Sequence, residues 1–173
     1  MSFVQYIANE EHYKQVLSRI EGVKHSLWIG TADIKDVYVA MGTASIPLLK
    51  VIAELIERNV EVRLIHAKEP GPNFRADFDK YPALFDGLDR MLCQRVHFKM
   101  VILDHEMVYF GSANLTGAGI GMKSTTKRNF EAGILTDDPE LLEAATEQFD
   151  EVWMGRHCAK CAYKDSCPEM AIR

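Results

Sequence analysis

No apolar run in this chain of 173 residues approaches the ~20 consecutive residues that a helix needs to span a bilayer. A transmembrane role is therefore not expected. The opening MSFVQYIANEEHYKQ lacks a basic start followed by an apolar stretch, so the reading is of a cytoplasmic protein without a secretory signal. Positive charge is not in excess either: 20 Lys and Arg face 25 Asp and Glu, for a net charge of −5. A protein that grips nucleic acid mainly by releasing counterions is usually basic, so such a substrate has to be held by a local patch. Low-complexity segments and internal repeats are missing, which argues against solenoids and arrays. Cysteine is scarce, with four residues in all. In a reducing compartment these are metal ligands or buried thiols rather than disulfides.

What is present is an ordinary globular composition, 47% apolar and 26% charged, in a length that suits one core. Tyr13, Val16, Leu17 and Ile20 recur at helical spacing, and 26–29 reads as a short buried strand. Ser45 is placed to cap a helix with Pro47 in its first turn and Leu48, Leu49, Val51, Ile52, Leu55 and Ile56 on its apolar face. Residues 60–66 alternate like a strand. Glycine and prolines make 68–73 a turn or loop, and 73–89 reads as a helix or irregular cover. A strand pair is expected at 96–103 and 107–110 around Asp104-His105-Glu106. The small, glycine-rich stretch 111–121 suggests a loop or helix start at a site. A strand returns at 132–136, and Asp138 before Pro139 opens a last helix with Leu142, Ala145, Phe149 and Val152 on one face. Helices alternating with strands give an α/β expectation: a mixed β-sheet sandwiched between helical layers, with a short Cys-rich C-terminal tail.

The densest chemical signal is His97-Phe-Lys99-Met-Val-Ile-Leu-Asp104. Residues two apart on a strand share a face, so His97 and Lys99 project together. A lysine neutralises phosphate oxygens, and an imidazole is basic enough at neutral pH to attack phosphorus or relay a proton. Gly111-Ser112-Ala113-Asn114 adds a hydroxyl and an amide, and Asn129-Phe130-Glu131 adds a second amide and a carboxylate. A carboxylate bonded to the histidine Nδ1 fixes the tautomer and leaves Nε2 to attack. His97 and Lys99 alone are better explained by a half-exposed strand, and Asp104 could be a plain residue of a hairpin connection. It is the further polar set that turns the reading to a site. His66 and Lys68, where a strand ends, either reach substrate or belong to a solvated loop. His12, His25 and His105 read as surface or core residues.

His-x-Lys-x4-Asp, then Gly-Ser-x-Asn, then Asn-x-Glu, resembles the signature of the phospholipase D superfamily, most tightly over 96–133. The resemblance implies a covalent phosphohistidine that water or another acceptor resolves. It makes His97 the nucleophile, or the general acid in a partner copy. Lys99, Ser112, Asn114 and Asn129 hold the phosphate, Glu131 orients His97, and Asp104 braces the motif. It implies no cofactor for catalysis. Two such motifs surround one pocket in the family, and this chain has one. Single-motif chains of this size are similar to the family's bacterial endonucleases, which build the site across a two-fold axis, so a homodimer is expected.

Cys158-x2-Cys161-x5-Cys167 compresses three soft ligands into ten residues, and Cys-x2-Cys is a common metal-knuckle spacing. Cys93 completes a four-thiolate site, with His157 as the competing fourth ligand. Structural zinc is the expected metal, an iron–sulfur cluster the alternative, and four unrelated thiols the plain reading. The expectation is thus a catalytic domain over 1–154 and a metal-binding tail over 155–173 packed on it. The substrate expected is a phosphodiester, nucleic acid first, with Arg75, Arg90, Arg95, Lys123, Lys127 and Arg128 as a local basic rim. The alternatives are phospholipid hydrolysis or phosphatidyl transfer, and a catalytically silent nucleic-acid-binding module.

Overall fold

The computed structural model describes residues 1–35, 37–41 and 44–171. It begins with strand β1 (Val4–Ala8) and helix α1, wound as π-helix over His12–Leu17 and as α-helix over Ser18–Ile20. Strand β2 (Ser26–Thr31) is followed by β3 (Tyr38–Met41), β4 (Ala44–Pro47), helix α2 (Leu48–Glu57) and strand β5 (Glu61–His66). Short helices α3 (Pro72–Phe78) and α4 (Ala83–Gly87) lead to β6 (Leu88–Leu92). Strands β7 (Lys99–Leu103), β8 (Met107–Gly111) and β9 (Ala132–Thr136) precede helix α5 (Pro139–Trp153), and 3₁₀ turns at Lys164–Ser166 and Pro168–Ala171 close the described chain.

Seven strands form one mixed sheet in the order β1-β9-β8-β7-β2-β5-β6, while β3 and β4 pair as a separate hairpin. β2, β5 and β6 run parallel, and every other neighbour in the large sheet is antiparallel. Alternation along each strand sorts apolar side chains onto two faces. Leu27, Ile29, Val101 and Leu103 join Val16, Leu17 and Ile20 of α1 and the apolar face of α2 in the larger core. Trp28, Met100, Ile102 and Val108 point the other way, against Ala145 and Phe149 of α5. The fold is α/β, a mixed sheet between helical layers, and a Cys-rich segment ends the chain.

Several local expectations are revised. Ser45 caps no helix. It lies in β4 opposite Ala40, and α2 starts only after Pro47, with no side-chain cap. Pairing with β3 has taken the segment that the cap signal claimed. Residues 73–89 hold two short helices rather than one, and the parallel edge strand β6, Leu-Asp-Arg-Met-Leu, has only Leu88 and Met91 buried. Its spacing of buried residues has no period of two, which hides it from pattern reading. β1, an edge strand with Val4 and Tyr6 exposed, carries an equally faint pattern. The β7 strand begins at Lys99, so 96–98 lie just outside it.

α5 begins as its sequence suggests: Asp138 accepts hydrogen bonds from the N–H groups of Glu140 and Leu141, both at 3.2 Å, satisfying two of the helix's unpaired donors. Its one fully buried large side chain, Phe149, stacks on Trp28 at 5.1 Å and on Trp153 at 6.0 Å between ring centroids. Truncating it leaves a cavity at the centre of the smaller core. Phe149→Ala should cost about 3–5 kcal/mol in urea denaturation. A loss below about 1 kcal/mol would show that α5 does not seal this face.

Candidate active site

An antiparallel run brings alternate strand ends to the same edge of a sheet. Here Lys99 opens β7, Gly111 closes β8 opposite it, and Gly133 near the start of β9 lies opposite Gly111. β2 ends at the same edge, since Gly30 pairs with Met100. Lys99 shares the face of Val101 and Leu103, so a column of core residues ends in an ammonium group. Only 7% of Lys99 is exposed. Burial therefore pulls its pKa below the ordinary lysine value, against an opposing pull from the Glu131 carboxylate.

His97 is exposed. The Lys99 ammonium donates to the His97 carbonyl oxygen at 2.6 Å and lies 3.3 Å from Nδ1 and 3.5 Å from Nε2 of its ring. Across the edge, the Ser112 hydroxyl donates to Glu131 Oε2 and accepts from the Ala132 N–H at 3.0 Å. Asn129 Nδ2 donates to Glu131 Oε1 at 3.0 Å. Asn114 is tied to β2, its Oδ1 accepting from Thr31 Oγ1 at 3.3 Å and from the Asp33 N–H at 3.1 Å. The edge thus gathers an imidazole, the cation of a buried lysine, a hydroxyl, two amides and a carboxylate, the equipment for holding a phosphate and attacking it. Within this chain Glu131 is engaged by Ser112 and Asn129, and no hydrogen bond joins it to His97 among the described residues.

A family model described as "Cardiolipin synthase, PLD-like domain" matches residues 16–153. The chain belongs to the phospholipase D superfamily. Among solved structures, the phospholipase D family member Nuc from Salmonella typhimurium superposes with a TM-score of 0.64 at 21% identity, over 88% of this chain and 95% of that one. NucT from Helicobacter pylori gives a TM-score of 0.64 at 16% identity, over 87% and 95%. TrmBL2, an archaeal chromatin protein with a DNA-binding mode of its own, gives 0.59 at 19% identity, over 87% of this chain and 52% of that one. No curated protein sequence matches. Family membership puts this phospholipase D-like chain among proteins that act on phosphodiesters.

Two glycines let this phospholipase D-like edge close. A Cβ on Gly111 would stand 2.6 Å from the Tyr109 hydroxyl and 2.6 Å from Gly133 Cα, and one on Gly133 would stand 2.5 Å from Tyr109 Cε2. The Tyr109 ring therefore lies under the paired glycines, edge-on to His12 at 5.3 Å, and its phenol pKa is raised by burial.

Asn9, Thr31, Asp33 and His12 support the site without a motif to announce them. Asn9 takes a positive φ of 49°; its N–H donates to Glu131 O at 3.0 Å, and its Oδ1 accepts from Glu131 N at 3.2 Å. His12, 2% exposed, places Nδ1 2.8 Å from the Asn9 carbonyl oxygen. Burial lowers its pKa, which keeps it neutral and assigns the Nδ1 proton to that bond. His12 is thus a core residue one step behind Glu131. His66 is fully buried and bonded through Nδ1 to Lys68 O at 2.7 Å, so the solvated-loop reading does not hold for its side chain.

The basic rim divides. Arg128 pairs with Glu10 at 2.9 Å, and Arg75 and Arg90 pair with Glu69 at 3.2 and 3.9 Å. Arg95 lies against the cysteine cluster. Exposed Lys123 and Lys127, in the connection that carries Asn129, make no ion pair among the described residues. The four cysteines are free and half-buried, and line one cavity.

Asp104 stands at the far end of β7. With φ of 54° at Asp104 and 52° at His105, the turn has two left-handed residues, as a tight hairpin requires. Its carboxylate accepts from the backbone N–H groups of Lys24 (3.1 and 3.0 Å), His25 (2.7 Å) and Ser26 (3.0 Å), fastening the hairpin to β2. Burial alone would raise its pKa, but the bonds from Ser26, His25 and Lys24 together outweigh it and hold the carboxyl below its ordinary value. A depressed carboxyl stabilises the fold above its unfolded pKa and loses that contribution as pH falls through the folded value. Asp104→Ala should cost about 1–2 kcal/mol at neutral pH, modest because the bonds are near solvent. The deficit should shrink in acid when denaturation is followed at both pH values; one that is constant with pH would assign it to the turn alone.

Proposed function

We propose that this chain is a phosphodiesterase that cleaves nucleic acid through a covalent phosphohistidine, with its site completed by a second copy of itself. The observation that carries the reading is an exposed imidazole 3.3 Å from a buried ammonium, beside hydroxyl, amide and carboxylate groups. Nε2 of His97 attacks phosphorus, a P–N bond forms, and the P–O bond to the leaving group breaks. The departing oxygen takes a proton from the second copy's His97. Water then attacks phosphorus and yields its proton to that same neutral imidazole, and the P–N bond breaks to restore His97. Lys99, Ser112, Asn114 and Asn129 hold the phosphate oxygens, and Glu131 serves His97 through the arrangement around Ser112. Zinc or another metal has no part in these steps.

Several observations support the second copy. Of the three His-x-Lys pairs in the chain, at His12, His66 and His97, the last alone continues into His-x-Lys-x4-Asp, and His97 is exposed whereas His12 and His66 are buried. Phe130, between Asn129 and Glu131, is 95% exposed, an apolar ring that a partner would cover. Nucleic acid is favoured by Lys123 and Lys127 beside the site, and by the DNA-binding chromatin protein that shares the fold. The family description names a cardiolipin synthase, which keeps phospholipid as the second reading. No helix among the described residues is long and apolar enough to cross a membrane. Cleavage of oligonucleotides compared with release from liposomes separates the two.

Two measurements test the chemistry. Hydrolysis of an aryl phosphodiester in the presence of EDTA should proceed in the wild type and fall on the order of 10³-fold or more in His97→Ala. Equal turnover by both proteins would remove the histidine mechanism, and dependence on free divalent ions would replace it with metal catalysis. Because Lys99 is held below its ordinary pKa, phosphate binding should weaken as pH rises through that depressed value, with KM increasing before kcat falls. In Lys99→Arg, whose guanidinium stays charged, the alkaline rise in KM should disappear; an unchanged profile would assign the limb to another group.

A further inference from the structure

Between Met154 and Glu169 no residue is fully buried, and those withdrawn from solvent at all are Gly155, Cys158, Cys161, Cys167 and Glu169. Apolar burial therefore does not hold this segment in its folded turns. A segment with so little core needs a crosslink or a metal. Three of the five sheltered residues are cysteines, and they face a fourth from far away in sequence. Cys93, in the β6–β7 connection, lines the same cavity of about 30 Å³ as Cys158, Cys161 and Cys167. All four are free thiols.

We propose that these four cysteines form a structural zinc site that fastens the tail to the connection carrying His97. The backbone is already turned as such ligands need. Cys161 N donates to Cys158 O at 3.0 Å, and Val96 N donates to Cys93 O at 2.9 Å, so each arm presents its sulfur from a tight turn. Glu169 sets the position of the tail, its Oε1 accepting from the Leu92 N–H at 2.8 Å, one residue before Cys93. Arg95 and Lys164 also line this narrow cavity, while Glu151 and Glu169 line the wider one beside it. Two cations suit a Zn²⁺ ion with four thiolates, which carries a net charge of −2.

Among the described residues no three His, Cys, Asp or Glu side chains already stand at coordination distance from one point. The sulfurs share a cavity wall, and binding requires their side chains to turn inward to the ~2.3 Å of a zinc–thiolate bond. Each ligating thiol gives its proton to solvent. His157 lines only the wider adjoining cavity, 3.4 Å from Glu151 Oε2, whereas Cys93 also lines the narrow one with the three tail cysteines, so Cys93 is assigned as the fourth ligand. Four protein ligands leave no open position, so the ion is structural. The inference is independent of the proposed hydrolysis.

The test is metal analysis of the full chain purified after growth with zinc. About one zinc per chain is expected, and cobalt exchange should give the visible bands and sulfur charge transfer of a tetrahedral thiolate site. Cys93→Ser and Cys161→Ser should each lower zinc content about tenfold, while His157→Ala keeps it. Loss in His157→Ala with retention in Cys93→Ser overturns the ligand set. Iron with acid-labile sulfide, or no bound metal, overturns zinc altogether. The wild type supplies a check free of folding artefacts: stripping zinc with a strong chelator should speed trypsin cleavage at exposed Lys160 and Lys164 about tenfold while the sheet stays intact. An unchanged cleavage rate would show that no metal holds the tail.

Discussion

The arrangement depends most on the register of β7, β8 and β9. Lys99 is opposite Gly111, and Gly111 is opposite Gly133; this row places the cation, the Ser112 loop and the Glu131 approach at one edge. A slip of one residue would turn Lys99 to the other face of the sheet, away from α1. The glycine pair and the Tyr109 ring beneath it pin that row sterically, and the Asp104 turn pins the opposite end of the hairpin to β2.

From that row follows an asymmetry between two residues that stand two apart in the chain. Lys99 ends a column of core side chains and is desolvated, while His97, beyond the strand, stands in solvent. Desolvation makes a cation a stronger partner for phosphate, and exposure leaves an imidazole free to meet a substrate or a second copy. The site of one chain is therefore well braced on its inner side, through Asn9, His12, Thr31 and Asp33, and open on its outer side, where Phe130 projects.

The tail is built on other physics. The domain is held by two apolar layers against a sheet, whereas the segment after α5 lies on the surface with sheltered cysteines and a single carboxylate bond to Leu92. It meets the domain next to Cys93, four residues before His97. The edge that bears the motif residues and the cysteine cavity consequently share one short connection, so order in one bears on the position of the other.

Much of this was legible in the chain itself. The strands with strong alternation or dense apolar content, β2, β5, β7, β8 and β9, and the capped helix α5 follow from local pattern and propensity. The motif residues follow from spacing and chemistry. What local pattern could not show are the edges: β1 and β6 each bury few residues, and β4 displaced a capping signal because pairing with β3 is a long-range gain. Asn9, His12, Thr31 and Asp33 are ordinary residues until the fold brings them to Glu131 and Asn114. Sequence by itself determined the motif residues from which the chemistry is proposed, because side-chain identity and spacing along the chain are local properties. Only the tertiary structure decided that Lys99 is buried while His97 is exposed, and that Cys93 meets the tail, because burial and approach across the 64 positions between Cys93 and Cys158 depend on how the sheet and its helices pack.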